Sequence, residues 1–114
     1  MTMQNSVILI PNNGMGHADE TLQQTLLGKY LELLLLSSDL PAALCFYTQG
    51  VKLVVEGSPV LAQLAALETQ GVRLVVCSTC LNYFKLAEKV RVGIVGGMGD
   101  IFTAQAQAEK VITL

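Results

Sequence analysis

Two cysteines three positions apart, Cys77 and Cys80 of Cys77-Ser78-Thr79-Cys80, stand directly after the run Val72-Arg73-Leu74-Val75-Val76. A run of that kind reads as a buried strand, and the pair then falls where a helix begins. A helix start offers unpaired N–H groups and a partial positive charge, both of which favour thiolate over thiol. On position Cys77 is the expected nucleophile, because it leaves the strand, and Cys80 follows about one turn further on. Three kinds of chemistry suit the pair. One thiolate could hold sulfur as a persulfide while the other resolves it. The two could cycle between dithiol and disulfide, although no Trp or Pro flanks them. They could bind a metal, but zinc asks for four ligands and one chain offers only this pair and His17, so a second subunit would have to supply the rest. The bland alternative is two small residues packed at a strand–helix junction.

The other candidates are weaker. His17, the only histidine, could lower a cysteine pKa or move a proton, yet a loop histidine without such a duty is the simpler reading. Cys45 lies inside a second apolar run and reads as core. Gly14-Met15-Gly16 opens like a dinucleotide fingerprint, but Asp19 stands at the third glycine position and would repel a pyrophosphate. Gly96-Gly97-Met98-Gly99 precedes a helix and could cradle an anion through its N–H groups; a plain turn is simpler. No P-loop Lys-Ser or Lys-Thr follows, and no Ser-His-Asp arrangement stands out. The motifs require no cofactor and no metal.

The elements that must position these residues alternate. Strands are expected at residues 7–10, 42–47, 72–76, 90–95 and 110–114. Asp19 caps a helix over about 20–36, on which Leu22, Leu26 and Tyr30 recur four apart beside a row of Leu27, Leu31 and Leu34. Its last turn is apolar all round, which implies deep burial or a subunit contact. Ser58-Pro59 starts a second helix, with Val60, Leu61, Leu64, Ala65 and Leu67 facing inward and Gly71 closing it in a left-handed cap. Short helices follow at 81–89 and from Asp100 to about 109. Residues 50–57 are ambiguous; Val51, Leu53 and Val55 alternate with Lys52, Val54 and Glu56, which leans towards strand. Strand–helix alternation predicts an α/β fold with a parallel sheet covered on both faces. The loops at 12–18, 48–50, 77–80 and 96–99 then meet at the carboxyl ends of the strands, where open sheets bind ligands.

Composition narrows the classes. At 114 residues, 52% hydrophobic and 14% charged, the chain reads as one apolar domain over residues 1–114, and such a surplus suggests a surface covered by another subunit. Net charge is −2, the seven Lys and Arg are scattered, and Trp is absent, which argues against a nucleic-acid partner. No apolar run approaches the ~20 residues of a membrane span, and no secretory signal is visible. The expected address is cytoplasmic, where thiols stay reduced and a reactive pair outranks a structural disulfide.

With these residues the chain resembles the DsrE-like superfamily, and more narrowly the DsrE-like domain of YedF-type proteins, described as sulfurtransferase-like and linked to selenium metabolism. The likeness runs almost end to end. It is carried by residues 14–36, by Phe46-Tyr47-Thr48-Gln49-Gly50-Val51-Lys52-Leu53 with Glu56-Gly57-Ser58, by Gly71-Val72 leading to Cys77-Ser78-Thr79-Cys80-Leu81, by Val92-Gly93 with Met98, and by Lys110-Val111-Ile112-Thr113-Leu114. The resemblance implies a three-layer α/β/α sandwich with a mostly parallel five-stranded sheet, and a helical segment at 51–56 against the periodicity. It implies a sulfur-relay protein or sulfurtransferase, with persulfide at Cys77 and a partner role for Cys80. Homo-oligomers, sulfur donor and acceptor proteins, and a separate TusA-like protein are the partners it implies, since the TusA-like domain that usually precedes this one in YedF-type proteins is not in the sequence. The alternative is a non-catalytic oligomeric assembly module, or a small-ligand binder built on the glycine loops.

Overall fold

Five apolar runs form the strands β1 (Ser6–Ile10), β2 (Ala43–Phe46), β3 (Arg73–Cys77), β4 (Ile94–Gly96) and β5 (Lys110–Thr113). Four helices join them: α1 (Glu20–Ser37), α2 (Leu61–Thr69), α3 (Ser78–Tyr83) and α4 (Met98–Gln107). This is a computed structural model, and it describes residues 2–114. The sheet order is β4-β3-β2-β1-β5 and every pairing is parallel. All of β1 and β2, and all of β3 after Arg73, is buried, as expected of parallel strands covered on both faces. The steps from β1 to β2, β3 and β4 run one way, so right-handed crossovers put α1, α2 and α3 on one face; the return from β4 to β5 puts α4 on the other. The result is the expected three-layer α/β/α sandwich.

Local chemistry explains the helix ends. Asp19 accepts the Thr21 N–H at 3.1 Å and caps α1. Gln23, Leu27, Leu31 and Leu34 are the buried stripe of α1, each buried Leu contributing roughly 1.5–3 kcal/mol. The neighbouring row differs from expectation, with Leu22 and Leu26 exposed, and the apolar last turn leaves Leu33 and Leu36 on the surface at 66% and 80% exposure. After α2, Val72 N–H bonds Leu67 C=O and Gly71 N–H bonds Glu68 C=O, with Gly71 at φ +97. That double closure needs the left-handed backbone a glycine adopts without strain.

Five boundaries depart from the sequence reading, the first being α2, which starts at Leu61 with Val60 at its cap rather than at Ser58-Pro59. Residues 51–56 are not a strand: Thr48–Val54 is a 3-10 helix, and only Val55 is extended, bridging to Val90. Three residues per turn set Val51 and Val54 on one side, and both are buried with Leu53 and Val55, so the alternation was a coincidence of a short window. β4 is Ile94–Gly96 rather than 90–95, because Gly93 bends the chain at φ +89 and Arg91 N–H turns aside to Val54 C=O. The helix expected at 81–89 begins at Ser78, stops at Tyr83, and is followed by Lys85 at φ +59 and a 3-10 turn at Ala87–Lys89. The cap of α4 is Gly97, and Asp100 sits inside the first turn, its carboxylate accepting Gly97 N–H at 2.9 Å.

Candidate functional site

β3 ends at Cys77 and β4 at Gly96, and the two are register partners. Beyond them the chain diverges, into α3 on one face and α4 on the other. In open α/β sheets ligands bind where neighbouring strands send their loops apart. Here that point lies beside Cys77. Cys77 caps α3 and Cys80 is its third residue, so the pair occupies the strand–helix junction read from the sequence.

The two thiols differ sharply in access. Cys77 is 1% exposed, while Cys80 is half-buried. Cys77 is near enough to Cys80 to act on its ionisation. The hydrogen-bond partner of Cys80 is Thr48, whose backbone N–H donates to Cys80 Sγ at 3.0 Å. Burial pushes the Cys80 thiol above its ordinary pKa; the Thr48 N–H pulls it back, and the neighbouring Cys77 adds to the rise. The expected thiolate preference of a helix start therefore fails at Cys80, where desolvation of the anion wins. Its reactivity should climb with pH through and beyond the ordinary thiol range.

Cys45 is core, as expected, at 0% exposure. Burial pushes its thiol up from 9.0 to about 11, against the pull of Arg73. A thiol whose pKa is raised on folding favours the native state below its unfolded pKa and loses that contribution as pH rises through the folded value. Native stability should thus fall between pH 9 and 11 by roughly 2–3 kcal/mol on this account. Denaturant unfolding at about pH 8 and about pH 10.5 checks it. Cys45→Ala should show a smaller fall than the parent protein, and an equal fall in both would refute the assignment.

The remaining loops are committed to the fold. Met15 N–H bonds Gln23 C=O, Ala18 N–H bonds Gln23 Oε1 at 3.0 Å, and Asn12 Nδ2 bonds Gly16 C=O at 2.6 Å. Gly14 is pressed so closely on the Gln23 backbone that a Cβ would collide with it. Gly14 therefore seats α1, and the Met15 and Ala18 N–H groups of this loop are spent on Gln23. The Gly96–Gly99 turn likewise spends an N–H on its own Asp100. His17 is exposed, and no hydrogen bond or ion pair joins it to either cysteine. A surface cavity of about 530 Å³ is lined by Asn13, Gln24, Lys52, Ser58 and Phe84 among others, and by neither cysteine. Lys52 Nζ lies 4.7 Å from the centre of the Phe84 ring there. Among the described residues no group of three or more His, Cys, Asp or Glu is arranged to hold a metal ion, and no helix is long and apolar enough to cross a membrane.

The sequence places the loop 48–50 at this end of the sheet but does not single out Thr48. Nothing in a threonine after a strand announces a left-handed backbone, yet Thr48 has φ +48. The nearest sequence signal is Gly50 two residues on.

Family comparison decides the relationship. The family model for the DsrE/DsrF-like family matches residues 15–114. The chain belongs to the DsrE/DsrF-like family. That family is associated with sulfur relay. Solved structures agree on the fold. YchN from E. coli is similar with a TM-score of 0.72 at 18% identity, over 98% of this chain and 100% of that one. MTH1491 from Methanobacterium thermoautotrophicum, a protein of unknown function, is similar with a TM-score of 0.72 at 21% identity, over 97% of this chain and 99% of that one. No curated protein matches the chain in sequence.

Proposed function

We propose that this protein carries sulfur as a cysteine persulfide at the Cys77–Cys80 pair, with Cys80 receiving the sulfur and Cys77 behind it. One observation carries this order: of the two cysteines Cys80 is the more exposed one, and its Sγ also takes an aimed backbone N–H. The order is the reverse of the one position alone suggests. Cys80 as thiolate attacks the outer sulfur of a donor persulfide. The donor S–S bond breaks, its electron pair leaves with the donor thiolate, and Cys80 holds the added sulfur. An acceptor thiolate then attacks that sulfur and Cys80 departs as thiolate, so no net oxidation occurs. A second release route lets Cys77 attack Cys80 Sγ, expelling hydrosulfide and leaving a Cys77–Cys80 disulfide that a dithiol reductant must reopen before the next load. Selenium in place of the outer sulfur would follow the same steps.

The partners in this scheme are a sulfur donor and an acceptor protein, one of them a separate TusA-like protein, together with further copies of this chain. Ile94, Val95, Met98 and Phe102 support the last, because they are exposed at 48–69% on the edge strand β4 and the start of α4. Large apolar groups on an unpaired edge are suited to burial against another subunit. The first test is intact-protein mass spectrometry after incubation with a small-molecule persulfide donor and mild alkylation. Addition of one sulfur atom per chain supports the carrier. No addition, with all thiols inert to alkylation, favours the assembly module instead.

A further inference from the structure

We propose that Thr48 is the positioning residue of the site, holding its backbone N–H on Cys80 Sγ so that this thiol ionises and accepts sulfur; the last step rests on the carrier reading above. The backbone of Thr48 is left-handed at φ +48, a conformation that β-branched residues rarely adopt. The turn is what lets the residue leaving β2 send its N–H to α3, 32 positions further along the chain. Its hydroxyl sits between the carbonyl oxygens of Pro11 at 2.6 Å and Tyr47 at 2.8 Å, and its one proton can serve either. Pro11 C=O also accepts Gly50 N–H at 3.1 Å, so the loop after β1 anchors the turn at two points. Three strand ends are thereby joined: β1 through Pro11, β2 through Thr48 and β3 through Cys80. An N–H aimed at sulfur gains strength as the sulfur becomes an anion. At this site it opposes burial and the neighbouring Cys77, the two influences that keep the proton on.

The test is the pH profile of Cys80 alkylation by iodoacetamide in the native protein, with the modified position read from fragment ions. Thr48→Val keeps size and branching but loses the hydroxyl anchor; Thr48→Gly loses the anchor and relieves the left-handed backbone; Thr48→Ser keeps the anchor. The Val and Gly variants should move the midpoint up by about one pH unit, and Ser should restore the parent profile. Thermal melting is read alongside. A merely structural Thr48 predicts that the midpoint follows stability, whereas Thr48→Gly should shift the midpoint without a matching loss of melting temperature. Unshifted profiles in both Val and Gly overturn the proposal. Because alkylation is measured apart from sulfur uptake, a protein that shows these shifts but takes up no sulfur keeps the Thr48–Cys80 link and loses only the carrier assignment.

Discussion

Cys80→Ser should fold normally and take up no sulfur from a persulfide donor. Oxygen replaces sulfur at a half-buried position, and the serine hydroxyl can still accept the Thr48 N–H that Cys80 Sγ receives at 3.0 Å. The stability change should stay within about 1 kcal/mol, because no cavity and no orphaned donor is created. The nucleophile, however, is gone, since a serine hydroxyl has no comparable anion near neutral pH. Cys77 needs a different probe. At 1% exposure a serine there would bury a hydroxyl, costing about 1–3 kcal/mol, so Cys77→Ala is the cleaner change. It should load sulfur at Cys80 and retain it longer, having lost the internal route to hydrosulfide. Mass spectrometry of the three proteins separates the possibilities. Loading that survives Cys80→Ser but vanishes in Cys77→Ala would reverse the two roles and return the acceptor to the strand end. Loading that survives both would remove the pair from the chemistry.

Gly50→Ala should destabilise the protein by about 2–3 kcal/mol, a large effect for one methyl group. A Cβ at Gly50 would collide with the Ile10 carbonyl oxygen at the end of β1, and it would also meet Asn12 O at 3.4 Å. The 3-10 helix cannot retreat cheaply, since Val51, Leu53 and Val54 behind Gly50 are fully buried. The same substitution at Gly28 supplies the contrast. Gly28 lies within α1, with open space where its Cβ would go and no left-handed backbone. Gly28→Ala should therefore stabilise by about 0.5–1 kcal/mol, as the unfolded chain loses freedom and the helix gains a better former. Urea unfolding midpoints of the two variants should move in opposite directions. A neutral Gly50→Ala would mean that the turn after β2 yields more easily than its packing implies. Displacement of Thr48 by the same clash should also weaken sulfur loading.

The central strands were legible in the sequence because parallel strands buried on both faces leave uninterrupted apolar runs, as at Ser6–Ile10 and Ala43–Phe46. Caps were legible where one side chain does the work, as with Asp19 before α1. The pair Cys77 and Cys80 was placed correctly at the end of β3, since position along a strand follows from the run itself. What failed was anything set by packing at a distance. Access to each sulfur depends on what covers it, and spacing does not record that Cys77 is buried while Cys80 is half-buried. The ionisation of Cys80 depends on desolvation and on an N–H from the turn after β2, neither of which spacing records. The bond from Thr48, within a loop already expected at this end of the sheet, was illegible for the same reason. Residues 51–56 misled because Leu53 and Val55 are buried beside the Val51–Val54 side of the 3-10 helix, which leaves an apparent alternation over a window this short.

The place of β5 bears on how the molecule is made. β1 is an inner strand, yet Ser6 pairs with Lys110 and Leu9 with Thr113, so one side of the first strand stays unfilled until residues 110–113 have been made. β1, β2 and β3 need only short crossovers to find one another, and the three loops that meet at Cys80 belong to those strands. Contacts close in sequence form early, and distant ones wait on the entropy of closing a long loop. During synthesis the thiol site can thus assemble while β1 still presents an open, apolar edge. The newborn chain is most exposed to wrong strand partners in that interval, and arrival of β5 ends it.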